Sequence, residues 1–333
     1  MVESPAAAPW MFVCNKGCVH LDTRPASVFL KSSTHGAYTT TRTCNDGAQV
    51  LLWERHIRRL FQSMEVLASA MSDRFPHPLG SFNGLHDLVN PSLQAGLHRA
   101  LTLRRSGEEI NITVLASPDH LSTCPDSERA NLGWNVSVHM SNYVPRSPPP
   151  AAHIAVLGSR RRLPLAKFSL WASTREPLER AKPVGATEIV LVSDDGDGLL
   201  EGSVTNFFVV AMNPDLEVQT ASLDDGVLPG VIRQLVIEVC KEDGIPVREV
   251  KPSWESRGTW TESFVTSSLR IVQQVGSIRR RQPCVPEMHL EHLKNCEWTE
   301  VRFQTHATVT DHVRNRVLQR ALEESIPVRE FFR

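Results

Sequence analysis

The chain has 333 residues, of which 41% are apolar and 22% charged, an ordinary globular composition with enough length for one large core or two smaller ones. Its formal net charge of −1 argues against binding to nucleic acid or to an anionic membrane, and no apolar run is long enough to span a bilayer. Seven scattered cysteines form neither a disulfide framework nor a zinc motif, and the first residues lack a secretory pattern, so we expect a cytoplasmic protein without a metal site.

The first predicted strand carries polar side chains. Residues 27–45 are predicted to be extended around a turn at His35-Gly36. Side chains alternate along a strand, so Tyr38, Thr40 and Arg42 lie on one face. Selection of β-branched residues for packing also explains this strand, and the pattern alone favours that explanation.

Two helices and two strands complete the first half of the chain. Apolar residues recur at helical spacing over Trp53–Ala70, and Arg59 lies off their stripe, where a solvent-exposed basic face is the ordinary explanation for an arginine. Proline, glycine and asparagine in residues 73–92 predict a loop with a short helix. The next predicted elements are a helix over Leu93–Arg104 and the strands Glu109–Leu115 and Trp134–Met140.

A proline-rich run then divides the chain. Residues 144–152 contain Pro145 and the triplet Pro148-Pro149-Pro150, which make a semi-rigid connector. We therefore predict an N-terminal α/β domain over residues 1–143 and a C-terminal domain over residues 153–333. Ligand sites tend to lie at such junctions.

Two lysines beyond the connector are candidates for covalent chemistry. A lysine that forms a Schiff base must be partly desolvated, so that its amine is neutral often enough to attack an aldehyde. Lys167 follows an apolar stretch, a position that surface lysines also occupy. Lys182 lies at the end of a helix predicted over Glu176–Lys182, where a cation interacts favourably with the helix dipole and needs no other role. We favour Lys167. Three arginines at 160–162 lack interleaved aromatic residues and are weak evidence for nucleic-acid binding.

The most informative stretch runs from Glu201 to Arg233. Glu201 and Asn206 place two polar side chains at the start of an apolar strand. After a second strand over Leu216–Thr220, Pro229-Gly230 opens a helix whose first backbone N–H groups and dipole can hold a phosphate. A carboxylate near such a helix start predicts a cofactor with both a phosphate and a basic ring nitrogen.

This stretch resembles the signature of class IV pyridoxal-phosphate enzymes, the family of branched-chain aminotransferases, D-amino acid aminotransferases and aminodeoxychorismate lyases. The resemblance implies an α/β (α+β) two-domain protein of fold type IV, with a small N-terminal domain, a larger C-terminal domain and pyridoxal 5′-phosphate between them. The matching positions, with matching gaps, are Glu201, Ser203, Asn206, Phe207, Phe208, Val218, Thr220, Leu228, Gly230, Val231 and Arg233.

The resemblance also implies roles for single residues. Lys167 forms the Schiff base, and Glu201 faces the pyridine nitrogen, because their separation matches that of the corresponding pair in the family. The run from His56 to Leu60 resembles the family's His-x-x-Arg-Leu, in which the arginine binds the phosphate, so Arg59 takes that role and Arg58 stays on the surface. Tyr38, Thr40 and Arg42 correspond to a strand that lines the substrate cavity. Further cofactor contacts are implied for Asn206, the backbone N–H groups of Val231 and Ile232, and the hydroxyls of Thr266 and Ser267, although Ser and Thr at a strand end are commonly turn formers.

Two departures from the family bear on function. Residues 112–118 contain no arginine, although several relatives carry one there for the substrate carboxylate, and Ala172 replaces a tyrosine that follows the lysine in branched-chain enzymes. Lyase-type members lack that tyrosine too. The resemblance thus implies an aminotransferase acting on an amino acid and a 2-oxo acid. Its alternatives are a lyase of the aminodeoxychorismate type and a cofactor-fold protein with weak or lost activity. Family members are usually homodimers, and we expect one here.

Overall fold

The structure is a computed structural model, and it describes residues 9–77, 79–119, 133–281, 298–304 and 306–333. Two compact units divide the chain. The first comprises the chain up to Pro145 together with Ala166–Ser173 and Ala321–Arg333, and the second comprises Arg146–Leu165 and Thr174–Arg320. Within the described ranges, no helix is both long enough and apolar enough to cross a membrane.

The first unit contains a seven-stranded sheet in which every pairing is antiparallel. Numbered along the whole chain, its strands are β1 (Met11–Asn15), β2 (Cys18–Leu21), β3 (Ala37–Cys44), β4 (Gln49–Val50), β5 (Glu109–Asp119), β6 (Gly133–Tyr143) and β16 (Ile326–Pro327). Their order across the sheet is β16-β4-β3-β5-β6-β1-β2, so β3 lies between a two-residue strand and the long hairpin of β5 and β6.

Helices α1 (Ala26–Ser32), α2 (Trp53–Ala70) and α3 (Phe82–Leu103) accompany this sheet. The predicted bounds of α2 are confirmed, and its apolar stripe is buried against β3. Residues 27–32, predicted to be extended, are helical instead, because Phe29 and Leu30 turn into an apolar cluster with Val13. So short an apolar run does not distinguish helix from strand.

Helix α3 corrects a second prediction, because residues 82–92 belong to one long helix rather than to a loop and a short helix. The Ser81 hydroxyl caps its start by accepting a hydrogen bond from the Gly84 N–H at 3.1 Å. Pro91 lies inside the helix, where proline costs about 3 kcal/mol. Burial of side chains on both sides of Pro91 offsets that cost, and these are Leu85, Val89, Leu93 and Leu97.

The second unit contains a mixed sheet of nine strands. These are β7 (Ala152–Ser159), β8 (Glu188–Val192), β9 (Leu199–Gly202), β10 (Asn206–Met212), β11 (Leu216–Thr220), β12 (Val247–Glu249), β13 (Trp260–Ser267), β14 (Ile271–Arg281) and β15 (Trp298–Arg302). The order is β12-β11-β10-β13-β14-β7-β8-β9, β15 pairs with β14, and β9 also pairs with β10. That last pairing closes β10, β13, β14, β7, β8 and β9 into a ring.

The ring encloses the core of the second unit. Along β10, Phe207 and Val209 enter an apolar cluster with Trp254 and Trp260. Phe208, on the opposite face, stacks on Phe264 with ring centroids 4.7 Å apart. Because the faces alternate along β10, the register of its first residue, Asn206, is fixed by the packing of the residues that follow it.

The remaining helices are α4 (Leu170–Thr174), α5 (Glu176–Ala181), α6 (Val231–Glu242) and α7 (Thr308–Glu323), with short 3₁₀ turns at Trp254–Thr259 and Val328–Phe332. The prediction of α5 is confirmed within one residue at each end, and α6 begins directly after Gly230, as predicted. The Glu262 carboxylate caps α7, accepting hydrogen bonds from the backbone N–H groups of Val309 and Thr310.

Candidate functional site

The backbone of Lys167 is held on both sides within the first unit. Its N–H donates to Ser63 Oγ of α2 at 3.1 Å, and its carbonyl accepts a hydrogen bond from the Tyr38 N–H of β3 at 2.8 Å. Phe168 forms a β-bridge with Ala37, so the lysine lies on a short extension beside β3. The sequence alone did not identify Ser63 as its partner.

The side chain of Lys167 lies against an aromatic ring. Its Nζ is 4.7 Å from the centroid of Tyr38, which is 7% exposed. Lys182, the other candidate, forms an ion pair through its Nζ with Glu179 one helical turn earlier, at 3.1 Å. Lys167 is half-buried, so its side chain is partly removed from water.

Arg59 is buried, contrary to the ordinary explanation of an arginine off the apolar stripe. It is 5% exposed, and its Nη2 donates to Thr39 Oγ1 at 2.7 Å. Arg58 is exposed, as predicted, and lies over the ring of Phe82. His56, Arg59 and Ser63 are spaced by three and four residues, so α2 presents a polar row within its buried face.

His56 is fully buried beside this arginine. Its Nδ1 lies 2.9 Å from Thr39 Oγ1. Burial, with smaller contributions from the positive charges of Arg59 and Lys167, holds the pKa of His56 well below its ordinary value of 6.5. The imidazole is therefore neutral in the folded protein at neutral pH.

This histidine makes folding pH-dependent. We expect the free energy of unfolding to fall as the pH drops from 6.5 towards the lowered pKa, because the unfolded chain then takes up a proton at His56 that the folded chain does not. The slope is up to about 1.4 kcal/mol per pH unit for each such histidine. His139 changes the free energy of unfolding with pH in the same direction, because burial lowers its pKa as well. Urea unfolding at pH 7.5 and 5.5 tests this, and the loss should be smaller in His56→Gln than in the wild type. Equal losses in both proteins would contradict it.

The three substrate candidates on β3 are not equally close to the lysine. The ring of Tyr38 lies against the Lys167 amine. The Thr40 hydroxyl, by contrast, forms a hydrogen bond with the Thr113 hydroxyl at 3.1 Å. Arg42 lies about 13 Å further along the strand than Tyr38. Its Nη1 donates to the Thr43 carbonyl, and its Cζ is 5.9 Å from the centroid of the Tyr143 ring. Tyr38 is thus the candidate that the structure brings to Lys167.

In the second unit, Glu201 is a buried, ion-paired carboxylate. It is 3% exposed on β9, and its Oε1 accepts a hydrogen bond from Arg161 Nε at 2.7 Å. Its Oε2 accepts one from the Leu228 N–H at 3.0 Å. Arg161 also donates to the Pro164 carbonyl. The guanidinium of Arg161 thus balances the negative charge of the Glu201 carboxylate in the interior.

Arg161 is the residue that sequence reasoning missed. It is one of three consecutive arginines, and nothing in their spacing distinguishes it from Arg160 or Arg162. The signal that could have found it is indirect, because a buried carboxylate such as Glu201 requires a cation nearby.

Glu201, Asn206 and Thr266 form a row across β9, β10 and β13, where they are directly paired residues of adjacent antiparallel strands. Directly opposite residues place their side chains on the same face. Asn206 Nδ2 donates to the Leu228 carbonyl at 2.9 Å, which ties this row to the turn before α6.

The start of α6 has the features of an anion site. Gly230 is its N-cap and supplies no capping side chain, so the first N–H groups, those of Val231 and Ile232, have no intrahelical acceptor. Thr266 is 2% exposed, and its Oγ1 has no hydrogen-bond partner among the described residues. Ser267 Oγ accepts a hydrogen bond from the Arg270 N–H at 3.3 Å, the turn-forming role considered for it above. An orphaned hydroxyl and uncapped N–H groups fit a phosphate.

Gly230 cannot carry a side chain without disturbing this start. A Cβ there would overlap Asn206 Oδ1. We expect Gly230→Ala to lower the free energy of unfolding by about 1–3 kcal/mol, the usual cost of overpacking. Gly258→Ala is the matched control, since nothing lies within 4 Å of a Cβ at that position. Urea denaturation measures both, and equal stability of the two variants would refute the steric argument.

Comparison with known proteins decides the family. The profile of class IV aminotransferases matches residues 36–278, most of the chain. The chain belongs to the class IV aminotransferase family. No curated protein gives a significant match to it. Class IV aminotransferases use pyridoxal phosphate, so the phosphate-binding features of α6 agree with the cofactor of the family.

Solved structures agree with this class IV assignment at the level of the fold. A branched-chain aminotransferase from Thermoproteus uzoniensis, crystallised with norvaline, superimposes with a TM-score of 0.65 at 18% identity, covering 96% of this chain and 100% of that one. A fold IV transaminase from Curtobacterium pusillum gives 0.64 at 16%, covering 92% and 99%. A hypothetical aminotransferase from Mycobacterium tuberculosis, in its pyridoxal-phosphate-bound form, gives 0.64 at 16%, covering 94% and 99%. The predicted fold type IV is confirmed.

Proposed function

We propose that this class IV protein is a pyridoxal-phosphate-dependent aminotransferase in which Lys167 carries the cofactor and moves the proton. The observation that carries the proposal is the position of Lys167. Its amine lies against the ring of Tyr38, and its backbone is bonded to both Tyr38 and Ser63. Lys182, the rival, is engaged with Glu179.

The residues that would hold the phosphate are donors. In the second unit they are the N–H groups of Val231 and Ile232 and the Thr266 hydroxyl, with Ser267 as a weaker candidate. In the first unit the candidate is Arg59, whose guanidinium can bind a phosphate through two parallel hydrogen bonds.

Glu201 and Asn206 would serve the ring end of the cofactor. Pyridoxal phosphate supplies an aldehyde that captures amines and a ring that draws electrons from the neighbouring carbon. Glu201, ion-paired with Arg161, would accept a hydrogen bond from the ring nitrogen and hold its proton there. Asn206 orients this region through its bond to Leu228.

Lys167 would have two roles, both carried out by its Nζ. Its Nζ would attach the cofactor and, with an amino substrate bound, would take the proton from the substrate Cα. Tyr38, packed on that amine, would limit access of water to it.

We propose that the substrates are an amino acid and a 2-oxo acid. We also propose that the protein assembles as a homodimer. Strand β5 has no arginine over residues 112–118, so the substrate carboxylate requires another partner. A screen of D- and L-amino acids as donors to 2-oxo acids tests the reaction, and light scattering tests the assembly.

Borohydride trapping tests the role of Lys167 directly. The protein is loaded with pyridoxal phosphate, reduced and digested, and the modified peptide is identified by mass spectrometry. We expect one adduct, on Lys167. An adduct on Lys182, a scatter over surface lysines, or none would overturn the proposal. Release of a cleaved product in place of an amino-transfer product would assign lyase chemistry.

A further inference from the structure

A chain of hydrogen bonds runs through three buried side chains of the first unit. Arg59 Nη2 donates to Thr39 Oγ1 at 2.7 Å, and the same oxygen lies 2.9 Å from His56 Nδ1. Thr39 and His56 have no exposed surface, and Arg59 has 5%. His56 and Arg59 are one turn apart on α2, and Thr39 lies on β3, so the chain joins helix to strand.

The charges around His56 favour a neutral imidazole. His56 is neutral, and positive charges at Arg59 and Lys167 oppose its protonation. The hydroxyl of Thr39 accepts from Arg59 and has one proton of its own to give. The hydrogen bond between Thr39 Oγ1 and His56 Nδ1 can run in either direction, and in both cases a single oxygen joins the arginine to the histidine.

We infer that Thr39 and His56 are positioning residues, which hold the guanidinium of Arg59 in one orientation for the cofactor phosphate. The inference rests on the proposed role of Arg59. An arginine side chain has many rotamers, and its fork binds two phosphate oxygens only in the right plane. Anchoring one nitrogen before the ligand arrives removes part of the cost of ordering the side chain.

The neighbouring threonine shows that this contact is not a general property of the strand. Thr41, two residues along on the same face of β3, donates to the Leu51 carbonyl at 2.6 Å. It is as buried as Thr39. His56, in turn, makes its side-chain hydrogen bond to Thr39, and its Nε2 has no partner among the residues described. Apolar packing does not need an imidazole there.

The test compares the affinities for pyridoxal phosphate and for pyridoxal, which lacks the phosphate. We expect Thr39→Val to weaken binding of pyridoxal phosphate about 10-fold and that of pyridoxal by less than about twofold, the loss of one charge-assisted hydrogen bond. Thr41→Val, the matched control, should leave the ratio of the two affinities unchanged, and Thr39→Ser should preserve it. His56→Gln should reduce the ratio in the same direction as Thr39→Val.

Equal weakening of both ligands in Thr39→Val, or equal ratios in the Thr39→Val and Thr41→Val proteins, would overturn the inference. Arg59→Gln separates it from the proposed function. If that variant keeps the wild-type ratio, the phosphate role of Arg59 is wrong. If Arg59→Gln lowers the ratio while Thr39→Val and His56→Gln do not, Arg59 binds the phosphate but Thr39 and His56 do not position it.

Discussion

Replacing Lys167 with alanine is expected to lower the rate of the half-reaction with an amino acid by about 10³-fold or more. General acid–base catalysis alone contributes about 10² to 10⁴ in rate, and the variant also loses the covalent attachment. The measurement is single-turnover absorbance of the protein loaded with pyridoxal phosphate, after addition of an amino donor.

Stability should change little in this variant. The Lys167 backbone makes the hydrogen bonds to Ser63 and Tyr38, and alanine retains both. The loss of rate can therefore be separated from unfolding by recording the melting temperature of the same sample. Pyridoxal phosphate should still bind, since its proposed phosphate donors are untouched.

Lys182→Ala is the matched control for the missing amine. It removes a partly exposed ion pair with Glu179, a contact worth about 0.2–1 kcal/mol. The amino-transfer rate should be that of the wild type. A Lys182→Ala protein without activity, or an active Lys167→Ala protein, would exclude the proposed role of Lys167.

The sequence pattern alone predicted the secondary structure where a single periodicity of apolar residues dominates. Helix α2 and strand β11 have the predicted bounds, because apolar residues recur at helical spacing in α2 and turn residues bound β11. The same reasoning failed across Pro91, since a single proline signals a break while the burial that overrides it depends on the rest of the unit.

The sequence identified candidate site residues, but it did not predict which side chains they contact. Glu201 was assigned through the family signature and Lys167 through its separation from Glu201, and both assignments stay predictions. Arg59 was assigned by the same route, but its burial contradicts what its place on the helix indicates. Which threonine of β3 meets it depends on how α2 lies on the strand, and neighbouring threonines of that strand are alike in sequence. Side-chain contacts that depend on tertiary packing cannot be predicted from a short stretch of sequence.

Arg161 illustrates that limit and gives the largest expected change in stability. We expect Arg161→Met to lower the free energy of unfolding by about 3–5 kcal/mol, because it leaves the Glu201 carboxylate buried without its cation. Methionine is unbranched and fills part of the space of the arginine stem. Urea denaturation of the cofactor-free protein measures the loss without the stabilising effect of bound ligand.

Two further variants distinguish a buried charge from lost packing. Arg160→Met removes the preceding arginine, whose ion pair with Asp194 is about half exposed, and should change stability by less than about 1 kcal/mol. In the double variant Arg161→Met/Glu201→Gln no charge is left unpaired, so it should be more stable than Arg161→Met alone. If the double variant is the less stable of the two, packing of the Arg161 stem dominates. The charge of Glu201 would then be tolerated without Arg161, and the ion pair would not be what keeps this carboxylate in the interior.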